Sequence, residues 1–268
     1  MSQTINTNVS SLNAQRNLAS SKESLAVSLQ RLSSGLRVNS SKDDAAGLAI
    51  ADRMNAQIRG INVAIRNAND GISLAQTAEG ALATMTDVFQ RMRELAIQAQ
   101  NGSNGTGDRI NLDTEYQQLS GEVARIAAQT KFNGTAIVGA GAGSKTFQIG
   151  PNNGDSLTIT TATVGTVAGD ITTAGNASTA LAAIDVALDS ISTNRATYGA
   201  AMSRFQFAIT NLQITGENQS AARGRIMDAD FAAETAALAR AQILQQAGTA
   251  MVAQANQLPS QVLTLLRS

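Results

Sequence analysis

The sequence predicts a mostly α fold: an elongated antiparallel helical bundle or coiled coil with a small β-hairpin insert, its N- and C-terminal segments paired at one end. Three observations predict it. Between Ser41 and Gln100 apolar residues recur in alternating steps of four and three, the spacing that lines one face of a helix packed lengthwise against others. The same repeat returns from Ser178. Between the two, residues 135–177 turn to Gly, Thr, Val and Ala, with the two-residue alternation of strands.

Residues 1–40 read as a narrow-faced helix and a connector. Their apolar stripe is Ile5, Val9, Leu12, Leu18, Leu25, Leu29, Leu32 and Leu36, and Ser33-Ser34-Gly35 with Asn39-Ser40 interrupts it. Eight apolar side chains bury too little surface to offset the entropy of ordering such a segment. The segment therefore needs other surfaces, from this chain or its neighbours.

Residues 41–134 form the first part of the rod. One stripe holds Met54, Ile58, Ile61, Ile65, Ala68, Ile72, Ala75, Glu79 and Leu82; a second holds Leu74, Ala78, Ala81, Met85, Val88, Met92, Leu95 and Ala99. Ser41, with Asp44 three residues on, is the expected capping box, and Asn101-Gly102 the stop. At ~1.5 Å per residue this helix would run roughly 80–90 Å. A second helix begins at Asp108 and ends at Phe132-Asn133-Gly134, with Leu112, Tyr116, Leu119, Val123 and Ile126 in step. The short link between the two favours an antiparallel pair.

In 135–177, Phe147 and Ile149 alternate with polar residues, as do Leu157 and Ile159, around Pro151-Asn152-Asn153-Gly154. This reads as a hairpin forming a small cap or flap. The heptad of 178–223 carries Leu181, Ile184, Leu188, Ile191, Arg195, Tyr198, Met202, Phe205, Ile209 and Leu212. This helix should lie along 41–100. Residues 224–268 read as a second connector, Arg223 to Asp230 breaking the pattern, followed by a helix that mirrors the first: Leu244, Gly248, Met251, Ala255, Leu258, Val262 and Leu265. Underburied terminal helices on a rod imply head-to-tail assembly, because contacts that do not close make helical filaments.

Composition narrows the chemistry. The chain has no histidine and no cysteine, so a Ser-His-Asp triad, a His-Glu-x-x-His zinc site and thiolate ligation are impossible. Net charge is zero, which leaves no electrostatic footprint for nucleic acid. Gly139, Gly141 and Gly143 lack the Lys-Ser/Thr and strand-loop-helix setting of a phosphate loop. Asp43, Asp44, Asp228 and Asp230 pair at the connectors, where capping and salt bridges to Lys42, Arg223 or Arg225 are the expectation rather than catalysis or a metal. No catalytic residue, metal or cofactor is expected. No segment approaches the ~20 apolar residues of a membrane span. The start, Met1 to Asn8, has no apolar core of a cleavable signal, so by the general secretory route the chain would be cytosolic.

The run Leu32-Ser-Ser-Gly-Leu-Arg-Val-Asn-Ser-Ser-Lys-Asp-Asp-Ala-Ala-Gly47 resembles the N-terminal signature of bacterial flagellins, as do Asn67 to Ala81 and Phe132-Asn-Gly134. Arg225 to Phe231 and Gln242 to Met251 resemble that family's C-terminal end. The resemblance covers 1–135 and 178–268; the insert at 135–177 is far smaller than the outer domains many members carry, and Ser203 stands where they usually have Asn. It implies a structural subunit, not an enzyme, that polymerises into the flagellar filament for swimming. It implies export through the flagellar type III apparatus, hence an extracellular protein without a cleavable signal. The implied partners are other copies of the chain, a cytosolic export chaperone, the filament cap and hook–filament junction proteins, and animal Toll-like receptor and inflammasome sensors. The alternatives are the hook–filament junction protein of the same superfamily and, against the missing histidine and the small insert, a secreted enzyme.

By the same resemblance, the filament core is built from Ile5, Val9, Leu12, Leu18, Leu25, Leu29, Leu32, Leu244, Met251, Leu258, Val262, Leu265 and Leu266. Rod packing falls to Ile58, Ile61, Ile65, Ile72, Leu82, Leu188, Ile191, Met202, Phe205 and Ile209. Arg91, Leu95 and Glu115 match the positions touched by the Toll-like receptor. Val262, Leu265, Leu266 and Arg267 resemble the tail sensed by inflammasome receptors.

Overall fold

A computed structural model describes residues 7–265, with side chains to residue 257. In chain order it contains α1 (Val9–Ser34), α2 (Ser41–Gln100), α3 (Thr106–Gln129), β1 (Lys131–Phe132), β2 (Thr135–Ala136), β3 (Ser144–Gln148), β4 (Ser156–Thr160), α4 (Ala174–Met227) and α5 (Phe231–Leu265). The chain divides into two compact units, Met1–Ala56 with Asn218–Ser268, and Gln57–Glu217.

In the first unit α1 and α5 run antiparallel. Asn8 Nδ2 donates to the Ala255 carbonyl (2.6 Å), Ser11 Oγ to Asn256 Oδ1 (2.7 Å), and Arg31 bridges Glu234 (2.8 Å). Asn8 caps α1 by accepting the Ser11 N–H, and Gly35 ends it in the left-handed region (φ 71), a conformation that glycine adopts without steric cost. The two connectors then pair with each other: Leu36 and Asp228 form an antiparallel bridge, and the Arg37 N–H donates to the Met227 carbonyl (2.6 Å). Beneath them Val38, Ala51 and Met227 make a small core.

Capping corrects two expectations here. Asp44, not Ser41, starts the regular part of α2: its backbone is extended (φ −161) and its carboxylate accepts the Gly47 N–H (2.7 Å). A carboxylate reaches an amide three residues on more readily from that extended position. Asp43 accepts the N–H groups of Asn39 and Ser40, which hold its carboxyl below the usual range. Asp230 caps α5 through Ala232 and Ala233. Among the described residues none of these carboxylates forms an ion pair with Lys42, Arg223 or Arg225. The second break is also later and shorter than expected: α4 stays helical through Met227.

In the second unit α4 lies antiparallel to α2. Arg93 bridges Asp185 (2.8 Å), Glu79 approaches Arg195 (3.8 Å), and Gly71 faces the Phe205 ring. Helix α3 folds back on α2, with Arg109 Nε donating to the Ala99 carbonyl (2.8 Å). Helix α3 ends at Gln129, earlier than expected. The sequence Lys131 to Ala136 is a tiny hairpin instead, turning on Asn133 (φ 48) and Gly134 (φ 77). Two successive positive φ values make the turn that matches strand twist.

The expected hairpin is present: β3 pairs β4 antiparallel, with Phe147 opposite Leu157 and Lys145 opposite Ile159. It is more than a flap. Leu157, Ile159, Val164, Val167 and Ile171 are buried in the same core as Met85, Phe89, Phe205 and Ile191. The extended strap 161–171 is pinned through its backbone: Ser120 donates to the Val167 carbonyl, Gln117 to the Gly169 carbonyl, and Asp113 accepts the Ile171 N–H. Gly139 and Gly141 stand where a Cβ would meet Ala127 and the Ala136 backbone, so their smallness serves packing.

Candidate functional site

The residues expected to drive assembly divide by position. On α1, Leu18, Leu25 and Leu32 are half-buried, while the fully buried positions are Ser11 and Ser28. On α5, among the described side chains, the buried positions are Ala241 and Ala255. Gly248 sits opposite Leu18, where an added Cβ would come within 3.1 Å of the leucine Cδ1. The α1–α5 seam is thus built from leucines alternating with small residues, which lets the helices approach closely.

The remaining large apolar residues lie outside that seam. Val9 is 63% exposed, Leu12 52%, Leu29 49%, Leu244 50% and Met251 62%. Phe231 and Ile243, which the stripe did not include, are exposed as well. A single apolar face was expected on each helix. A helix turns 100° per residue, so Leu12 and Leu29 sit a step around from buried Ser11 and Ser28 and face outward. An open groove of about 390 Å³ lies between α1 and α5, lined in part by Asn13, Asn17, Leu18, Leu244 and Met251. Ile5, Leu266 and Arg267, and the side chains of Leu258, Val262 and Leu265, lie outside the described residues.

In the second unit the expected packing residues face inward. Ile61, Leu82, Ile191, Phe205 and Ile209 are buried; Ile58, Ile65, Ile72, Leu188 and Met202 are half-buried. The fold adds a feature that the inward stripe hid. Val186 (66% exposed), Phe207 (75%) and Ile214 (55%) stand at multiples of seven along the outward side of α4, with Thr193 and Ala200 between them. Helix α4 therefore carries a second, uncharged heptad on its back. The signal was in the spacing, but the stronger inward repeat masked it.

Of the three receptor-matched positions, the structure brings two together at the surface. Arg91 donates to Glu115 (2.8 Å) and to Glu94 (2.9 Å), and both partners hold the guanidinium firmly charged. Leu95 is a correction: it is 1% exposed and belongs to the core, so its side chain presents nothing to a partner. Leu95 shares its face with Ala99, four positions on, and both are covered in the core.

Residues missed entirely include Asn194, Gly71 and Gly60. Asn194 is 3% exposed and hydrogen-bonds both backbone groups of Ala162. Gly71 makes room for Phe205 and Gly60 for Pro151. Among the described residues no group of acidic side chains is arranged to hold a metal ion, and no helix is long and apolar enough to cross a membrane.

Comparison with known proteins shows the family. Residues 5–141 match the bacterial flagellin N-terminal helical region and residues 181–266 the bacterial flagellin C-terminal helical region. The chain is similar to a flagellin of Halalkalibacterium halodurans, 44% identical over 270 residues, covering 98% of this chain and 99% of the relative. It is similar to flagellin C of Vibrio cholerae, 35% identical over 376 aligned residues, covering 99% of this chain and all of the relative. Among solved structures, the crystal structure of Bacillus cereus flagellin superposes with a TM-score of 0.51 at 31% identity, covering 55% of this chain and 88% of that one. This chain belongs to the bacterial flagellin family: it is a structural subunit that polymerises into the flagellar filament, not an enzyme.

Proposed function

We propose that the outward apolar residues of α1 and α5 close the centre of the filament by packing against other copies, and that the back of α4 adds a lateral contact around it. The observation that carries this reading is the exposure of Val9, Leu12, Leu29, Leu244 and Met251 on two helices that pair with each other through serines, alanines and leucines. Apolar side chains of that size gain by leaving water, and in a homopolymer the surface that receives them is another subunit.

On this reading the expected core set, Ile5 and Leu258 to Leu266 included, acts as one assembly surface. The free subunit travels with that surface covered. A cytosolic chaperone that binds α5 over Ile243, Leu244 and Met251 would prevent premature polymerisation, and export through the flagellar type III apparatus followed by folding under the cap would deliver the chain outside the cell. The junction protein supplies the first surface to grow on. Arg91 and Glu115 are the charges an animal Toll-like receptor would meet, and the C-terminal tail is what an inflammasome sensor would meet.

Seeded growth of purified chain tests the core claim. Leu12→Asp and Met251→Asp should leave the second unit's thermal unfolding unchanged and abolish elongation from filament seeds seen by electron microscopy. Normal filaments from the double variant would overturn it. Phe207→Ser should weaken filaments against heat and leave elongation intact.

A further inference from the structure

The chain holds four Asn-Gly pairs, at 101–102, 104–105, 133–134 and 153–154. Such a pair is where a backbone nitrogen most easily reaches the preceding side-chain amide, because glycine has no Cβ to obstruct the approach. The fold treats the four differently. Asn101 accepts the Ser103 N–H through Oδ1, and its carbonyl is held by the Asn104 N–H (3.2 Å) and by Arg109 (3.3 Å). Asn104 donates Nδ2 to the Gln98 carbonyl (2.6 Å), and the Gly105 N–H that would have to attack is held by Asp108 (3.0 Å). Asn133 is fixed in the left-handed region (φ 48) between paired strands; there ψ is positive, which turns Cβ away from the following nitrogen.

Asn153 has none of these restraints. It is exposed at the tip of the β3–β4 hairpin, in a turn closed by the Asp155 N–H on the Asn152 carbonyl (3.2 Å), with Gly154 at φ 91. Among the described residues neither its side chain nor the Gly154 N–H has a hydrogen-bond partner.

The geometry points to Asn153 as a site of spontaneous deamidation, an age-dependent covalent modification of the subunit. Hydroxide removes the Gly154 amide proton, the nitrogen attacks Asn153 Cγ, and the Cγ–Nδ2 bond breaks with release of ammonia. Water then opens the cyclic imide at either carbonyl, leaving Asp or isoAsp. No oxidant or reductant takes part. Either product sets a carboxylate beside Asp155, whose Oδ2 accepts the Asn152 N–H (3.0 Å) and Nδ2 (3.1 Å). IsoAsp also lengthens the backbone of a turn whose Pro151 sits against Gly60 of α2, where a Cβ would come within 2.8 Å. Ageing therefore loosens the hairpin tip and its seat on α2, and leaves buried Leu157 and half-buried Phe147 in place.

The full chain, folded and separately in concentrated urea, is incubated at mildly alkaline pH and sampled over time by peptide mass spectrometry, with isoaspartyl methyltransferase labelling to identify isoAsp. Folded protein should gain the mass of an NH2-to-OH exchange several-fold faster at Asn153 than at Asn101, Asn104 or Asn133. In urea the four sites should converge. Asn153→Gln should abolish the change in that peptide alone. Equal rates in the folded chain, or the same ranking in urea as in the fold, would overturn the assignment.

Discussion

Asn194 on α4 grips Ala162 of the strap by both backbone groups: its Oδ1 accepts the Ala162 N–H (2.9 Å) and its Nδ2 donates to the Ala162 carbonyl (2.7 Å). A buried amide that completes a two-bond ladder satisfies four polar groups at once, and losing one partner strands the others. Asn194→Ala should therefore cost about 2–4 kcal/mol in urea unfolding followed by circular dichroism. Asn194→Asp keeps the acceptor but sets a carboxylate against the Ala162 carbonyl, and should be no better.

The contact between Gly71 and Phe205 makes a second prediction. A Cβ on Gly71 would lie 2.6 Å from the ring, which already meets Phe147 edge to face at 5.4 Å. The ring is enclosed on both sides and has nowhere to retreat. Gly71→Ala should destabilise the second unit by about 1–3 kcal/mol, despite the higher helix propensity of alanine. Adding Phe205→Leu should recover part of the loss in thermal unfolding.

Tyr116 gives a pH dependence. It is fully buried, its hydroxyl has no partner among the described residues, and burial, with the nearby Asp113 charge adding, pushes its pKa up to about 12. An unfolded tyrosine ionises near ~10, so between the two values the folded chain holds more protons and stability falls as pH rises. The contribution is complete below pH ~10, and on the order of 2–3 kcal/mol is lost by pH ~12. Tyr198, also raised by burial, acts in the same direction. Tyr116→Phe should unfold at least as slowly as the parent at neutral pH and lose less stability in alkali. A steeper alkaline loss in the variant would contradict this.

Receptor contact and stability should separate at Arg91, Glu115 and Leu95. Arg91 and Glu115 are both substantially exposed, and exposed pairs add little to stability. Glu115→Gln should lower signalling in receptor-expressing cells without shifting the melting curve. Leu95→Ala should cost about 2–5 kcal/mol, and any signalling it loses should return in conditions that restore the fold.

Much of this architecture can be read from residue spacing. The repeats of 41–100 and 178–223 announce helices because backbone geometry alone dictates which positions share a face, and the alternation of Phe147 with Ile149 and Leu157 with Ile159 announces a hairpin for the same reason. The absence of histidine and cysteine removes whole classes of chemistry. The flagellin-like runs at both ends identify the family without any coordinates.

Burial, in contrast, belongs to pairs of elements. Leu95 and Arg91 lie one helical turn apart, and only the approach of α3 and α4 decides that the leucine is core and the arginine is surface. Leu12 and Leu29 look like seam residues until α5 arrives with Ala241, Gly248 and Ala255 and takes Ser11 and Ser28 as its neighbours. The strap's hold on Asn194 and the room that Gly71 leaves for Phe205 join positions distant in the chain. Local spacing carries information over a few turns of helix, whereas which face is covered depends on contacts that chain order does not encode.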